Sequence, residues 1–140
     1  MKTKTRIETF HHGDRDLWCL LGPFFASPEV RRELGLPLTS EEGYVWWAAL
    51  DGEEVIGFAA LKVGRRAVEF RHAYVLSQYR GRGIYGRLFA ARLAYGRELR
   101  RPLVATVNDH SLPVFLAHGF AVASRRGKYH RVLLRPEEIA

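Results

Sequence analysis

The sequence predicts an α/β (α+β) fold, a mixed and mostly antiparallel sheet of about seven strands with about four helices on both faces. Three observations carry this. Apolar runs at 44–50, 54–63 and 67–76 are joined by the short turns Asp51-Gly52-Glu53 and Gly64-Arg65, so they form an antiparallel meander. A strong helical pattern over 84–99 follows the third run across a glycine-rich loop. A short strand, a short helix and a hairpin then complete the chain.

The elements follow in order. A first strand is expected over 3–10. Residues 14–34 read as helix in two pieces, with Asp14 as N-cap, a break at Pro23, and a restart at Ser27-Pro28-Glu29 with proline at the first helical position. Residues 35–43 form a loop before the meander, whose runs carry no internal proline. In Trp46-Trp47, neighbours on a strand point oppositely, so one ring is expected in the core and the other in a cleft or on the surface. The long helix places Ile84, Leu88, Ala91 and Tyr95 on one side, with Phe89 and Leu93 beside them. Residues 103–107 give a short buried strand after Pro102. Helix 112–118 has Ser111 as N-cap and Gly119 at C′. Runs 120–124 and 129–134 form the last hairpin, turning at Arg126-Gly127-Lys128.

The chain has 140 residues, which is read as one domain over 1–140 with its own core. A hydrophobic content of 47% with 12% aromatics excludes disorder. The start Met-Lys-Thr-Lys-Thr-Arg is not a signal peptide, and no apolar run reaches the ~20 residues that span a bilayer, so a cytoplasmic protein without a membrane partner is expected. The single cysteine, Cys19, excludes an internal disulfide and suits a reducing cytosol. Within Leu17-Trp18-Cys19-Leu20-Leu21 it is expected in the core. The histidines have no metal-ligand spacing, so no metal is expected.

The run Gln78-Tyr79-Arg80-Gly81-Arg82-Gly83-Ile84-Tyr85-Gly86 holds the most information. Glycines let backbone N–H groups turn inward, and the helix that follows adds its unsatisfied N-terminal amides. Together they make a phosphate cradle at the positive end of a helix dipole. Read as G-x-G-x-x-G, with Asp109 beyond it, the run fits a dinucleotide fingerprint. That reading needs several βαβ units after the glycines, and too little chain remains. A kinase glycine loop fails on length and on the missing catalytic-loop signature.

Read as Q-x-x-G-x-G, the run resembles the cofactor motif of the GNAT superfamily, the acetyl-CoA-dependent N-acetyltransferases. The stretch from Val75, V-L-S-Q-Y-R-G-R-G, is similar to the common V-x-P-x-Y-R-G-x-G, with Ser77 in place of proline. Asn108 and Ser111, followed by Gly119-Phe120, resemble the second motif, and the similarity covers about 44–135. The resemblance implies acetyl-CoA as co-substrate and direct transfer of its acyl group to an amine acceptor. It implies that backbone at Tyr74-Val75-Leu76 binds pantetheine and polarises the thioester. Gln78, Arg80, Gly81, Arg82, Gly83, Ile84, Tyr85 and Gly86 then hold the phosphates, and Asn108, Ser111 and Phe115 complete the cofactor site. It also implies that segment 11–43 and the last hairpin choose the acceptor, in a monomer or a homodimer.

For the base, Glu69 and His72 stand on the strand before the loop. By period two, Glu69, Arg71, Ala73 and Val75 share one face, and His72 and Tyr74 the other. Members of the family carry a carboxylate base on this strand, which favours Glu69; a Glu69–Arg71 or cross-strand ion pair is the alternative. His72 has an ordinary pKa suited to proton transfer, against a hydrogen-bonded surface histidine. A water relay without a base is a third route. The family often has a tyrosine where this chain has Phe115, and that tyrosine protonates the departing thiolate. Tyr85, Tyr129 and Ser111 are the candidate substitutes.

The net charge is +7. Arg80, Arg82 and Arg87 lie near the loop, and the remaining arginines, Arg92 among them, are spread along the chain. Positions 82, 87, 92 and 97 advance about 140° per step, so they line no single stripe. A solvated basic surface competes with a nucleic-acid partner. Two other functions therefore stand beside acetyl transfer: a nucleobase modifier like the GNAT-like phage Mom-type proteins, and a non-catalytic module binding CoA or nucleic acid.

Overall fold

A computed structural model describes residues 5–35 and 38–136. The elements run β1 (Thr5–His11), α1 (Arg15–Phe25), α2 (Pro28–Leu34), β2 (Tyr44–Asp51), β3 (Glu54–Val63), β4 (Val68–Val75), a 3-10 turn (Ser77–Tyr79), α3 (Ile84–Glu98), β5 (Leu103–Asn108), α4 (Leu112–Ala117), β6 (Ala121–Arg126) and β7 (Tyr129–Leu134). The expected order of elements is found. Thr3 and Lys4 of the expected first strand, and Leu36 and Pro37 of the expected loop, lie outside the described residues.

The seven strands form one sheet in the order β1-β2-β3-β4-β5-β7-β6. Every neighbouring pair is antiparallel except β4 and β5. Alternation along β2 divides the interior in two. Val45, Trp47 and Ala49 join the core under α3 and α4, with Leu88, Phe89 and Phe115. Tyr44, Trp46 and Ala48 join the core under α1 and α2, with Leu17, Leu21 and Val30. Both tryptophans are therefore buried, Trp46 at 0% and Trp47 at 3% exposure, because helices cover both faces of this strand. The expected cleft or surface ring is not found.

Three further local expectations are corrected. Pro23 lies inside α1, which runs on to Phe25. A proline removes one amide, and so close to the helix end only one hydrogen bond is lost. Cys19 is exposed, on the outer side of α1, while Leu17 and Leu21 fill the core. Ser111 holds the N-cap position of α4 without a side-chain bond; Asn108 Oδ1 accepts from the Ser111 amide instead, at 2.9 Å. Ser27 does cap α2, accepting from the Val30 amide at 3.3 Å.

One irregularity reorganises the centre of the sheet. Ala59 pairs with Ala73, yet Leu61 pairs with Phe70, so Arg71 and His72 both stand against Ala60. This is a bulge, and it shifts the phase of β4 by one residue. Before it, Val68 and Phe70 face the α3–α4 core; after it, Ala73 and Val75 do. Glu69 and Arg71 thus share a face with His72 and Tyr74, which corrects the period-two assignment.

Candidate active site

β4 and β5 pair at Val68↔Leu103 and Glu69↔Val104 and then part, while β5 stays paired with β7 through Asn108. The gap opens into a cleft of about 1340 Å³ that passes from one face of the sheet to the other. Ile84, Tyr85 and Phe115 wall it on the α3–α4 side, and Glu33, Arg71, His72 and Tyr74 on the α1–α2 side. The strand end is held close to β3. A Cβ on Gly57 would stand 2.9 Å from the Tyr74 carbonyl oxygen, so glycine is required there.

The glycine-rich loop leaves β4 where the Leu76 amide donates to Ile56 O at 2.9 Å. Gly81 and Gly83 have φ of 79° and 81°, the left-handed region that favours glycine. Gly83 is the N-cap of α3 and no side chain caps that helix, so the amides of Ile84, Tyr85 and Gly86 open its positive end. Gly86 itself is ordinary helix, and a Cβ there meets nothing.

The arginines near the loop are largely engaged. Arg80 donates from Nε to Val75 O and from Nη2 to Glu33 Oε2, both at 2.8 Å, and lies over the Tyr74 ring. The hydrogen bond from Arg80, with its charge adding a little, lowers the Glu33 pKa from its ordinary value. Arg82 lies over the Tyr79 ring, and Arg87 donates to Thr5 O. Of the expected cofactor residues, Tyr74, Val75, Arg80, Gly81, Gly83, Ile84, Tyr85, Asn108, Ser111 and Phe115 line the cleft. Leu76 and Gln78 line a smaller hollow of about 340 Å³ beside α2, and Arg82 and Gly86 line neither.

The two candidate bases differ in their surroundings. Glu69 is committed on both oxygens, to Arg71 Nη1 at 3.7 Å and Arg131 Nη1 at 2.8 Å, so it adopts the ion-pair alternative. His72 lies stacked on Trp46, with interplanar angle 9°. Burial, and then the Arg71 charge, push its pKa down to about 4, so the near-neutral titration expected from sequence is lost. At neutral pH its imidazole is uncharged.

The sequence profile of the acetyltransferase (GNAT) family matches residues 11–120. The chain belongs to the GNAT acetyltransferase family. No curated protein matches it. Its fold is similar to Escherichia coli ElaA, at 13% identity and TM-score 0.73 over 93% of this chain and 99% of that one. It is similar to an acyl-CoA N-acyltransferase from Pseudomonas aeruginosa, at 16% identity and TM-score 0.70 over 93% and 97%. A GNAT family acetyltransferase from Elizabethkingia anophelis, with acetyl-CoA bound, gives 15% identity and TM-score 0.64 over 96% and 99%.

As a GNAT enzyme the protein takes acetyl-CoA as co-substrate and transfers the acyl group to an amine. Among the described residues no helix is long and apolar enough to cross a membrane. No group of three or more His, Cys, Asp or Glu side chains among them is arranged to hold a metal ion.

Two features of this GNAT cleft were missed in the sequence. Arg92 is 1% exposed, in the wall of the cleft, where a solvated surface arginine was expected. Its guanidinium lies over Phe70 and Phe89, and Nε and Nη2 lack a well-formed hydrogen bond among the described residues. Burial lowers its pKa to about 10, opposed by the Tyr85 hydroxyl, so it stays charged at neutral pH. Arg131, on β7, reaches across β5 to Glu69 and to Thr106 Oγ1. Neither belongs to a motif, and only the pairing of β5 with β7 brings Arg131 to the site.

Proposed function

We propose that this GNAT enzyme, acting as one domain in the cytoplasm, acetylates a small-molecule or protein amine that enters from the α1–α2 side. The observation that carries this reading is the through-going gap between β4 and β5, with the uncapped start of α3 at one mouth. The residues fit acetyl-CoA. Backbone N–H groups around Gly81, Gly83, Ile84 and Tyr85 suit its phosphates. Tyr74 and Val75 line the gap and suit pantetheine, with Asn108, Ser111 and Phe115 opposite; the Tyr74 backbone is turned to β3 and the Val75 carbonyl accepts from Arg80. When bound, acetyl-CoA supplies an activated acyl group on a thiolate leaving group.

The chain's own work is positioning and proton removal. His72 is too weak a base to deprotonate a free ammonium, so the acceptor reacts as free amine. As the C–N bond forms, the amine N–H becomes acidic and the neutral His72 imidazole takes that proton. Glu69 orders Arg71 and Arg131 and is not the base. Phe115 offers no proton, and a thiol pKa of about 8.5 lets the sulfur leave as thiolate. A nucleic-acid acceptor has only the net charge of +7 in its favour, and the arginines do not gather into one patch.

The test is the melting temperature with and without excess acetyl-CoA, for the wild type and Gly83→Asp. The wild type is expected to be stabilised and the variant to fold but not respond, because its side chain and charge occupy the phosphate position. An equal response from both proteins would refute this assignment of the loop.

A further inference from the structure

Two guanidinium groups, those of Arg71 and Arg131, flank one carboxylate beside the bulge of β4. Arg71 and Arg131 share Glu69 between them. Arg92 makes no ion pair among the described residues, and it approaches the Arg71 carbonyl from the opposite face of the sheet. Other charges near this side cancel in pairs, Lys62 with Glu41 and Arg80 with Glu33. His72 adds no charge at neutral pH. The acceptor side of the cleft is therefore positive. A cationic acceptor such as a polyamine meets like charge there.

The two surface arginines are also available. Their side chains are 38% and 39% exposed, against 25% for the Glu69 between them. Their hydrogen bonds use Arg71 Nε, on the Tyr44 hydroxyl, and Arg131 Nη1, so each keeps a terminal nitrogen without a hydrogen bond among the described residues. The bulge matters as well. It turns the consecutive residues Arg71 and His72 to the same face, which sets an anion receptor beside a proton acceptor.

We propose that the acceptor amine carries a neighbouring anionic oxygen group, a carboxylate or a phosphate, and that Arg71 and Arg131 bind it. A guanidinium fork matches either oxyanion. This rests on the acetyl-transfer reading above and adds the acceptor class to it.

Matched pairs of acceptors test it: L-phenylalanine against phenethylamine for the carboxylate, and phosphoethanolamine against ethanolamine for the phosphate. Release of CoA thiol gives kcat and KM, and calorimetric titration of the enzyme–CoA complex gives binding. In one pair the anionic member is expected to lead in kcat/KM by about tenfold or more, and that pair names the oxyanion. Arg131→Gln is expected to raise the KM for that acceptor about tenfold and leave the KM for acetyl-CoA alone, with a smaller rise for Arg131→Lys. Arg71→Gln provides an independent second variant. Equal or better use of the uncharged-tail amines, an unchanged KM in both glutamine variants, or acetylation of no member overturns the inference. If acetyl-CoA also fails to stabilise the protein, the acetyl-transfer reading fails with it; a normal response to acetyl-CoA confines the failure to the acceptor class.

Discussion

Arg92 Nη1 stands 3.4 Å from the carbonyl oxygen of Arg71 and 3.4 Å from that of Ala60, the residue that faces the bulge. A helix side chain thus reaches both strands at the bulge.

Arg92→Met should separate stability from activity. It removes two long hydrogen bonds and also a buried charge without a counter-ion, so the folding free energy is expected to change by no more than about 1 kcal/mol. The bulge carbonyls lose their tether, and kcat is expected to fall more than the affinity for acetyl-CoA. Urea unfolding and steady-state kinetics on one preparation check both. A large stability loss with normal kcat would contradict this.

Gly57→Ala should damage the cofactor side from a distance. The new Cβ meets the Tyr74 carbonyl at 2.9 Å, and backbone cannot swing aside as a side chain can. The expected cost is about 1–3 kcal/mol, with a raised KM for acetyl-CoA as the end of β4 shifts. Thermal melts and KM measurements report the two effects.

Gly86→Ala should do the opposite. Its φ is not left-handed and a Cβ there touches nothing, so the folded protein is expected to gain about 0.5–1 kcal/mol. Acetyl-CoA should still stabilise it. Loss of that response would show that the third glycine serves the cofactor, as a dinucleotide-type fingerprint requires.

His72 fixes an acid dependence. Its folded pKa is about 4 against an ordinary 6.5, so between these values the unfolded chain binds a proton that the folded chain refuses. Stability is therefore full above pH 6.5 and is lost as pH falls toward 4, by an amount on the order of 2 kcal/mol after allowing for partial exposure. His72→Gln should lose less between pH 7 and pH 4.5, read by urea unfolding at both. In the pH dependence of kcat/KM, no inflection is expected near 6.5, and the rate should follow the acceptor's own ammonium upward.

Elements with strong local signals were legible in the sequence. The meander turns, the Gly81–Gly83 loop and the proline-led restart of α2 each depend on residues adjacent in the chain, and each is found. The phase of β4 was not legible, because alternation assumes an unbroken ladder and nothing in Glu69-Phe70-Arg71-His72 marks an extra residue. Arg92 was misread for a related reason. Its angular position on α3 does not tell solvent from a cleft wall, and its partners come from β3 and β4. The altered basicity of His72 depends on Trp46 and Arg71 around it, which no local pattern records.

The bulge in β4 has a bearing on how such an enzyme diverges. At and before it, residues 69, 71 and 72 face the side on which the acceptor is proposed to enter; after it, 73 and 75 belong to the packing of the α3–α4 core. On that proposal, a descendant can trade one acceptor for another through these three positions, keeping its hold on CoA. Loss of a single residue from the bulge would instead exchange the two roles at once, a step that drift by substitution never has to take.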